Sequence, residues 1–430
     1  MPAPKKSFWL SYGLIIIASL GYFVDIYDLI LFNVVKKDSL TAIMQNASPE
    51  EIKNTGLYLF NMQMLGMMVG GLLWGILGDK RGRLSVLFGS ILLYSVANIA
   101  NAFTTNIALY AIIRVIAGIG LAGELGTGIT LVTETMPREK RGIGTMIIVS
   151  FGALGAVMAA LVGMHGNALA SLFSNVLNRP IANWQLAYLI GGIMGLLLLL
   201  LRIGISESGM FKNVLNAHVD RGNFLSLFTS RERFMKYLKC ILIGLPVWYI
   251  IGIIVANAEL IWAKELGING TVVNGLAVMY SYIGLCVGDV FSGLLSQFFK
   301  SRKKVVLLFI TFCVLACIYF FFFAHGLSVN WFYLLCFTLG TATGFWALFV
   351  TIAAEQFGTN IRSTVTNTVP NFVRGAVPII TWSFQALVAL TLGNIASAFI
   401  VGMVCMGLSF WATYTSQETF SKDLDYTELV

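Results

Sequence analysis

Charge is what this chain has least of. Asp, Glu, Lys and Arg make up 11% of its 430 residues, against roughly 25% in an ordinary soluble domain. A soluble fold of this length could not cover its surface with so few. Histidine is scarcer still, at three, and no His, Cys and carboxylate residues gather at metal-ligand spacing. No nucleophile–base pair and no phosphate-binding loop is present. These absences exclude a nucleic-acid binder, a secreted module and a water-soluble enzyme, and neither a metal nor a cofactor is expected. The six cysteines (Cys240, Cys286, Cys313, Cys317, Cys336, Cys405) all fall in apolar runs. A thiol there behaves as a small hydrophobe, so no disulfide is expected. Cys313 and Cys317 share a helix face, without a neighbouring His or carboxylate.

Apolar residues are abundant, at 57%. A bilayer core of about 30 Å takes about 20 apolar residues per helix. On that criterion the chain offers twelve spans, near 11–35, 54–78, 84–104, 106–131, 143–165, 184–203, 236–257, 271–298, 305–325, 331–354, 363–390 and 393–415. The fold class expected is an all-α polytopic membrane protein. The first run continues past signal-peptide length with no small-residue cleavage site, so it is expected to remain in place. Lys and Arg collect on the cytoplasmic side of a membrane. Placing the N-terminus inside puts 21 of them there, including Lys5, Lys6, Lys80, Arg81, Arg83, Arg138, Lys140 and Arg141. Five remain outside: Lys36, Lys37, Lys53, Arg179 and Lys264. The net charge of +8 is therefore a topology signal, with both termini cytoplasmic.

One long polar break, 204–235, separates six spans from six, with an amphipathic character around Arg231-Glu-Arg233. The expected domains are 1–203, a linker 204–235, 236–415 and a tail 416–430. The halves echo each other. Glu134 and Arg141 flank the loop after the fourth span, and Glu355 and Arg362 the loop after the tenth, seven residues apart in each. Gly75-x-x-Gly78-Asp79 has a weaker copy at Gly293-x-x-Ser296-Gln297.

Gly75-Ile-Leu-Gly78-Asp79-Lys80-Arg81-Gly82-Arg83 resembles the loop signature of the major facilitator superfamily. The resemblance implies two six-helix bundles and a cytoplasmic latch at Gly78, Asp79, Arg83, Glu134, Arg141, Glu355 and Arg362. Gln297 stands where the second copy should have an acid, so the latch is expected to be asymmetric. Asp79 is expected to meet arginine or helix-terminal amides across the seam. Gly21-Tyr-Phe-Val-Asp25-Ile-Tyr27-Asp28 is similar to the first helix of aromatic-acid and phosphate proton symporters. Arg114-x-x-x-Gly118-x-Gly120-x-x-Gly123-Glu124 resembles their fourth helix. Arg374 occupies the eleventh-helix position where such carriers hold a substrate anion. Glu207-Ser208-Gly209-Met210-Phe211 is a weaker match to the metabolite and sugar branches. The fifth span lacks the Gly-Pro pair of proton-coupled drug exporters, which favours import.

Six ionisable residues lie inside apolar runs: Asp25, Asp28, Arg114, Glu124, Asp289 and Arg374. Each costs about 2.5–3.5 kcal/mol on insertion scales, so each faces a cavity or a partner. Counting about 1.5 Å per residue puts Asp25, Arg114 and Arg374 near the midplane. Asp25 and Asp28 share a helix face, and two close carboxylates cannot easily both ionise, as a proton site requires. Glu124 is either a second proton site, a cavity wall or a packing residue; Asp289 is expected to hold a neighbouring helix. His165, His218 and His325 are lesser relay candidates. Arg374 and Arg114, with Tyr27, Asn61, Gln63, Trp248, Tyr280 and Trp346, form the expected substrate-binding set; Tyr249 and Tyr282, outside that set, are aromatics that could line the site or serve ordinary packing. The expected function is proton-coupled import of a small organic anion through an inner membrane, by a carrier able to act as a monomer. Iron-chelate or phosphate import, an exporter or uniporter, and a receptor or scaffold are the alternatives.

Overall fold

The computed structural model describes residues 8–136, 141–177, 180–203, 221–422 and 426–428. The 204–220 part of the linker, Arg138, Lys140, Glu207–Phe211 and His218 lie outside these, as does the Arg141 side chain. No strand forms among the described residues. The helices in chain order are α1 (Phe8–Ile43), α2 (Pro49–Arg81), α3 (Arg83–Asn101), α4 (Ile107–Leu121 and Glu124–Thr135), α5 (Arg141–Leu177) and α6 (Asn183–Leu201). After the break come α7 (Arg231–Glu265), α8 (Asn274–Phe298), α9 (Arg302–Phe323), α10 (Val329–Ala342 and Trp346–Gln356), α11 (Arg362–Gly375 and Val377–Leu387) and α12 (Gly393–Thr415).

The helical stretch from Arg362 to Thr415 has 54 residues. At 1.5 Å per residue that is about 80 Å, too long for one crossing. It breaks at Leu390 and Thr391, where Thr391 adopts φ 66° and Gly393 φ 74°. The residues left facing outward are apolar, among them Val96, Ile112, Leu197 and Phe323. The protein is a multi-pass membrane protein.

Local signals set the helix ends. Ser48 and Glu51 form a capping box before α2, while Asn106, Ser230 and Ser301 cap the starts of α4, α7 and α9. Gly82, at φ 99°, turns the chain between α2 and α3 in a conformation other residues avoid. α4 and α10, the fourth helix of each half, are both interrupted midway, at Ala122–Gly123 and Thr343–Phe345. Gly344 sits there because a side chain would collide with the backbone of Gly288 on α8. α2 packs along α11 and α5 along α8, which joins the halves.

Two spans are longer than apolar length suggests: α1 continues to Ile43 and α5 to Leu177. Lys36 and Lys37, expected in an outer loop, are therefore helical. Arg202, at the end of the expected sixth span, is 1% exposed where α6 ends. The linker yields a short 3₁₀ turn, Phe224–Phe228, before α7 begins at Arg231.

Candidate functional site

A small cavity of about 20 Å³, room for roughly one water, lies between the halves, lined by Tyr22, Ile26, Trp248, Tyr282, Trp346 and Arg374 among others. Arg374 ends the first segment of α11, just before the chain bends at Ala376. It is fully buried. One terminal nitrogen donates to Asn371 Oδ1 at 3.0 Å, while Nε and Nη2 have no hydrogen-bond partner. Its guanidinium carbon stands 5.5 Å from the Trp248 ring and 5.7 Å from the Trp346 ring. No carboxylate pairs with it among the described residues. Two indoles can hold such a cation by its faces and leave the planar fork free for an anion.

The α10 interruption aims Trp346 at this cavity, where its Nε1 donates to the Tyr22 hydroxyl at 3.2 Å. Asp289 of α8 holds the interruption open. Its Oδ1 accepts from the Ala347 amide at 2.9 Å, at the N-terminus of the second α10 segment.

On α1, Asp25 and Asp28 are both fully buried, and none of their four oxygens has a hydrogen-bond partner. Asp25 is within electrostatic reach of Arg374; Asp28 is within reach of Asp25 and Arg114, with Asn98 beside it. Arg114 lies 4.2 Å over the Phe32 ring and donates to Gln63.

The face bearing Arg83 and Arg302, here the basic face, is sealed by paired charges. Asp79 accepts from the amides of Ser363 (3.0 Å) and Thr364 (2.7 Å), capping α11 from the other half, and lies 3.3 Å from Arg83. Glu134 accepts from Arg83 at 2.8 Å and from Arg362 at 3.3 Å. The second half repeats the motif with Arg302 and Glu355 at 3.1 Å. Thr130–Thr366 and Thr145–Thr351 hydroxyl pairs, at 2.6 and 3.0 Å, continue the seam inward. The far face is closed by fewer ties. Lys36 donates to the Ala256 carbonyl at 2.8 Å, Lys37 pairs with Glu259 at 2.7 Å, and Asn274 donates to the Asn33 carbonyl at 3.0 Å.

The sequence profile of the Major Facilitator Superfamily matches residues 18–381. The chain belongs to that superfamily. Its fold is similar to a solved structure of a proton:xylose symporter of the superfamily, with TM-score 0.75 at 16% identity, covering 96% of this chain and 98% of that one. It is 33% identical over 187 residues to a niacin transporter of Acinetobacter baylyi, a stretch spanning 42% of this chain and 37% of that one. It is 24% identical over 307 residues to a sialic acid transporter of Escherichia coli, covering 71% and 69%. The match to the niacin transporter thus spans less than half of either protein.

In this facilitator Arg374, Trp248, Trp346 and Tyr282 meet at the cavity, as the sequence grouped them. Other expected residues lie elsewhere. Glu124 does not line the cavity; it is held by Arg202 through two bonds, 2.6 and 2.8 Å, and by Ser90 at 3.0 Å. Tyr280 stacks on Tyr333 at 5.5 Å and is 37% exposed, turned away from the site. The Tyr27 hydroxyl donates to the Ala187 carbonyl at 2.9 Å, inside the first half. Tyr249 donates to Ala398 at 2.6 Å, which fixes it against α12. Arg114, Asn61 and Gln63 are buried but do not line the cavity. The sequence reading missed Tyr22, Arg202 and Arg302. Tyr22 was legible, because it lies three residues before Asp25 on the same face. The Arg202–Glu124 pair, 78 residues apart, carried no signal.

Proposed function

We propose that this transporter imports a small organic carboxylate together with protons, by alternating access across a bacterial-type inner membrane. The basic face and both termini are cytoplasmic in this reading, the halves 1–203 and 236–415 are the rocking bundles, and one copy suffices. The observation that carries it is Arg374: a buried guanidinium on a cavity wall, with two unpartnered nitrogens and no carboxylate bonded to it. A permanent cation in that setting needs an anion for part of each cycle. Niacin and sialic acid, the substrates named for two relatives, are both carboxylic acids, which agrees.

Asp25 supplies the coupling. Ionised, it offsets the charge of Arg374 at a distance, without bonding to it. Protonated, it leaves the arginine's field to an incoming carboxylate, so proton and anion favour each other's binding. Asp28, one turn along the same helix, discourages joint ionisation of the pair and keeps a proton available. The chamber is contracted, so a substrate must push the halves apart at one gate before it fits.

Thermal denaturation of the purified protein with benzoate, nicotinate, phosphate, a hexose and an amine, at two pH values, tests the reading. Ligand at a hundredfold excess over Kd stabilises by about 2.7 kcal/mol. The proposal requires stabilisation by carboxylates, stronger at the lower pH, and its loss in Arg374→Ala. Stabilisation by phosphate or the hexose in place of the carboxylates overturns it.

A further inference from the structure

We infer that Lys36 is the first docking point for the substrate anion on the route from the far face to Arg374, and that the arriving anion releases the far gate. The inference rests on the reading of the substrate as a carboxylate.

Lys36 lies eleven residues after Asp25, three helical turns and about 16 Å along α1. Eleven steps of 100° return to the same face, so Asp25, Phe32 and Lys36 form one stripe, with Arg114 seated over Phe32 between them. Cations therefore mark the path at its mouth and partway down, and Arg374 waits at its end. Lys36 is only 6% exposed. A buried lysine normally has a carboxylate beside it, yet no ion pair forms at Lys36 among the described residues, and its ammonium donates to a neutral carbonyl, Ala256 at 2.8 Å.

That carbonyl is available because α7 is irregular at this level. Two π-turns, Ile250–Ile254 and Ala258–Trp262, flank a 3₁₀ turn at Val255–Asn257. Such departures free backbone carbonyls and mark hinges. Asn257 and Trp262 side chains take the Gly252 and Ile253 carbonyls, and Lys36 takes Ala256. The acid nearby is already committed: Glu259 accepts from Lys37 at 2.7 Å and from the Asn274 amide at 3.2 Å. Lys36 is thus the surplus cation of the gate. A carboxylate makes a charge-assisted bond roughly twice as strong as a carbonyl's, so an anion reaching the mouth displaces Ala256 and loosens the tie between α1 and α7.

Uptake of labelled benzoate and nicotinate into proteoliposomes of the full-length protein, at several ionic strengths, tests this. Lys36→Gln should raise KM about tenfold and flatten its dependence on salt, leaving the maximal rate within about twofold; Lys36→Arg should restore both. If Lys36→Gln changes only the maximal rate, with KM and its salt dependence as in the parent, Lys36 is a mechanical tie and the inference falls. Arg374→Ala, run alongside, separates the two proposals. Loss of uptake there with normal Lys36→Gln kinetics overturns the docking role alone. A parent that takes up neither carboxylate overturns both.

Discussion

Glu134 and Asp25 are both buried carboxylates, 6% and 0% exposed, placed in opposite circumstances. Glu134 is shared by Arg83 and Arg362, one from each half. Asp25 has no hydrogen-bond partner on either oxygen. The same contrast separates the arginines: Arg362 lies against Glu134 and the Ala354 carbonyl, whereas Arg374 keeps two nitrogens without a partner. A closed gate has to hold, so its charges satisfy one another. A working site has to exchange partners, so its charges are left short of them, and the surrounding fold carries the cost.

The comparison is broken most forcefully at the seam. Glu134→Ala would remove the acid that two buried arginines share, leaving Asp79 beside Arg83, and breaking a buried pair costs about 3–5 kcal/mol. Its melting temperature should fall sharply and its basic face should become reactive to thiol or amine labels. Glu355→Ala, which strands only Arg302, should cost less. Equal losses would mean that sharing between the halves adds nothing.

At the centre the expected effect is on ligand rather than on fold. Arg374→Ala should weaken carboxylate binding by about 1.5–3 kcal/mol for each charge-assisted bond lost, while melting near the parent temperature. Arg374→Lys keeps charge without the fork, so carboxylate binding should weaken by about 1–3 kcal/mol; a phosphate substrate would tolerate it better. Calorimetry on the three proteins decides. Asp25→Asn should cost less stability than Glu134→Ala, since no hydrogen bond or ion pair is lost with it. It should end accumulation against a gradient yet permit downhill exchange. A clear drop in melting temperature would place Asp25 with Glu134 among the structural acids.

The smallest effect concerns the tail. Glu418 is partly buried, which alone would raise its pKa; bonds from Ser301 and from the amides of Arg302, Phe420 and Thr419 outweigh that and hold it below the usual carboxylate value. A depressed pKa in the folded state means the contact is fully present above the ordinary carboxylate range and is lost as pH falls through the folded value. The protection factors of the Arg302 and Lys303 amides, relative to the intrinsic exchange rate at each pH, should therefore fall in acid, and in Glu418→Gln they should be low at every pH.

Much of the gate was legible because its signals are local. Gly78, Asp79 and Arg83 sit within six residues, and a paired motif seven residues apart points to Glu134 and Glu355. Arg374 was legible because a cation in an apolar run has few reasons to exist. Glu124 was misleading for the same reason. Its run contains no cation that faces it, and Arg202 reaches it only because α6 folds back beside α3 and α1. Lys36 was assigned to a loop because polar residues end an apolar run, although α1 itself continues to Ile43.

By itself the sequence determined that the chain crosses a membrane many times and which residues are too costly to bury without purpose, since both follow from the cost of charge in a bilayer. Which charges neutralise each other was decided only by tertiary structure. Ion pairing depends on a few ångströms between side chains drawn from distant helices, and no one-dimensional pattern encodes that spacing. Packing gave Glu124 to Arg202 and Glu134 to two arginines. It left Asp25 and Arg374 without ion-pair partners among the described residues.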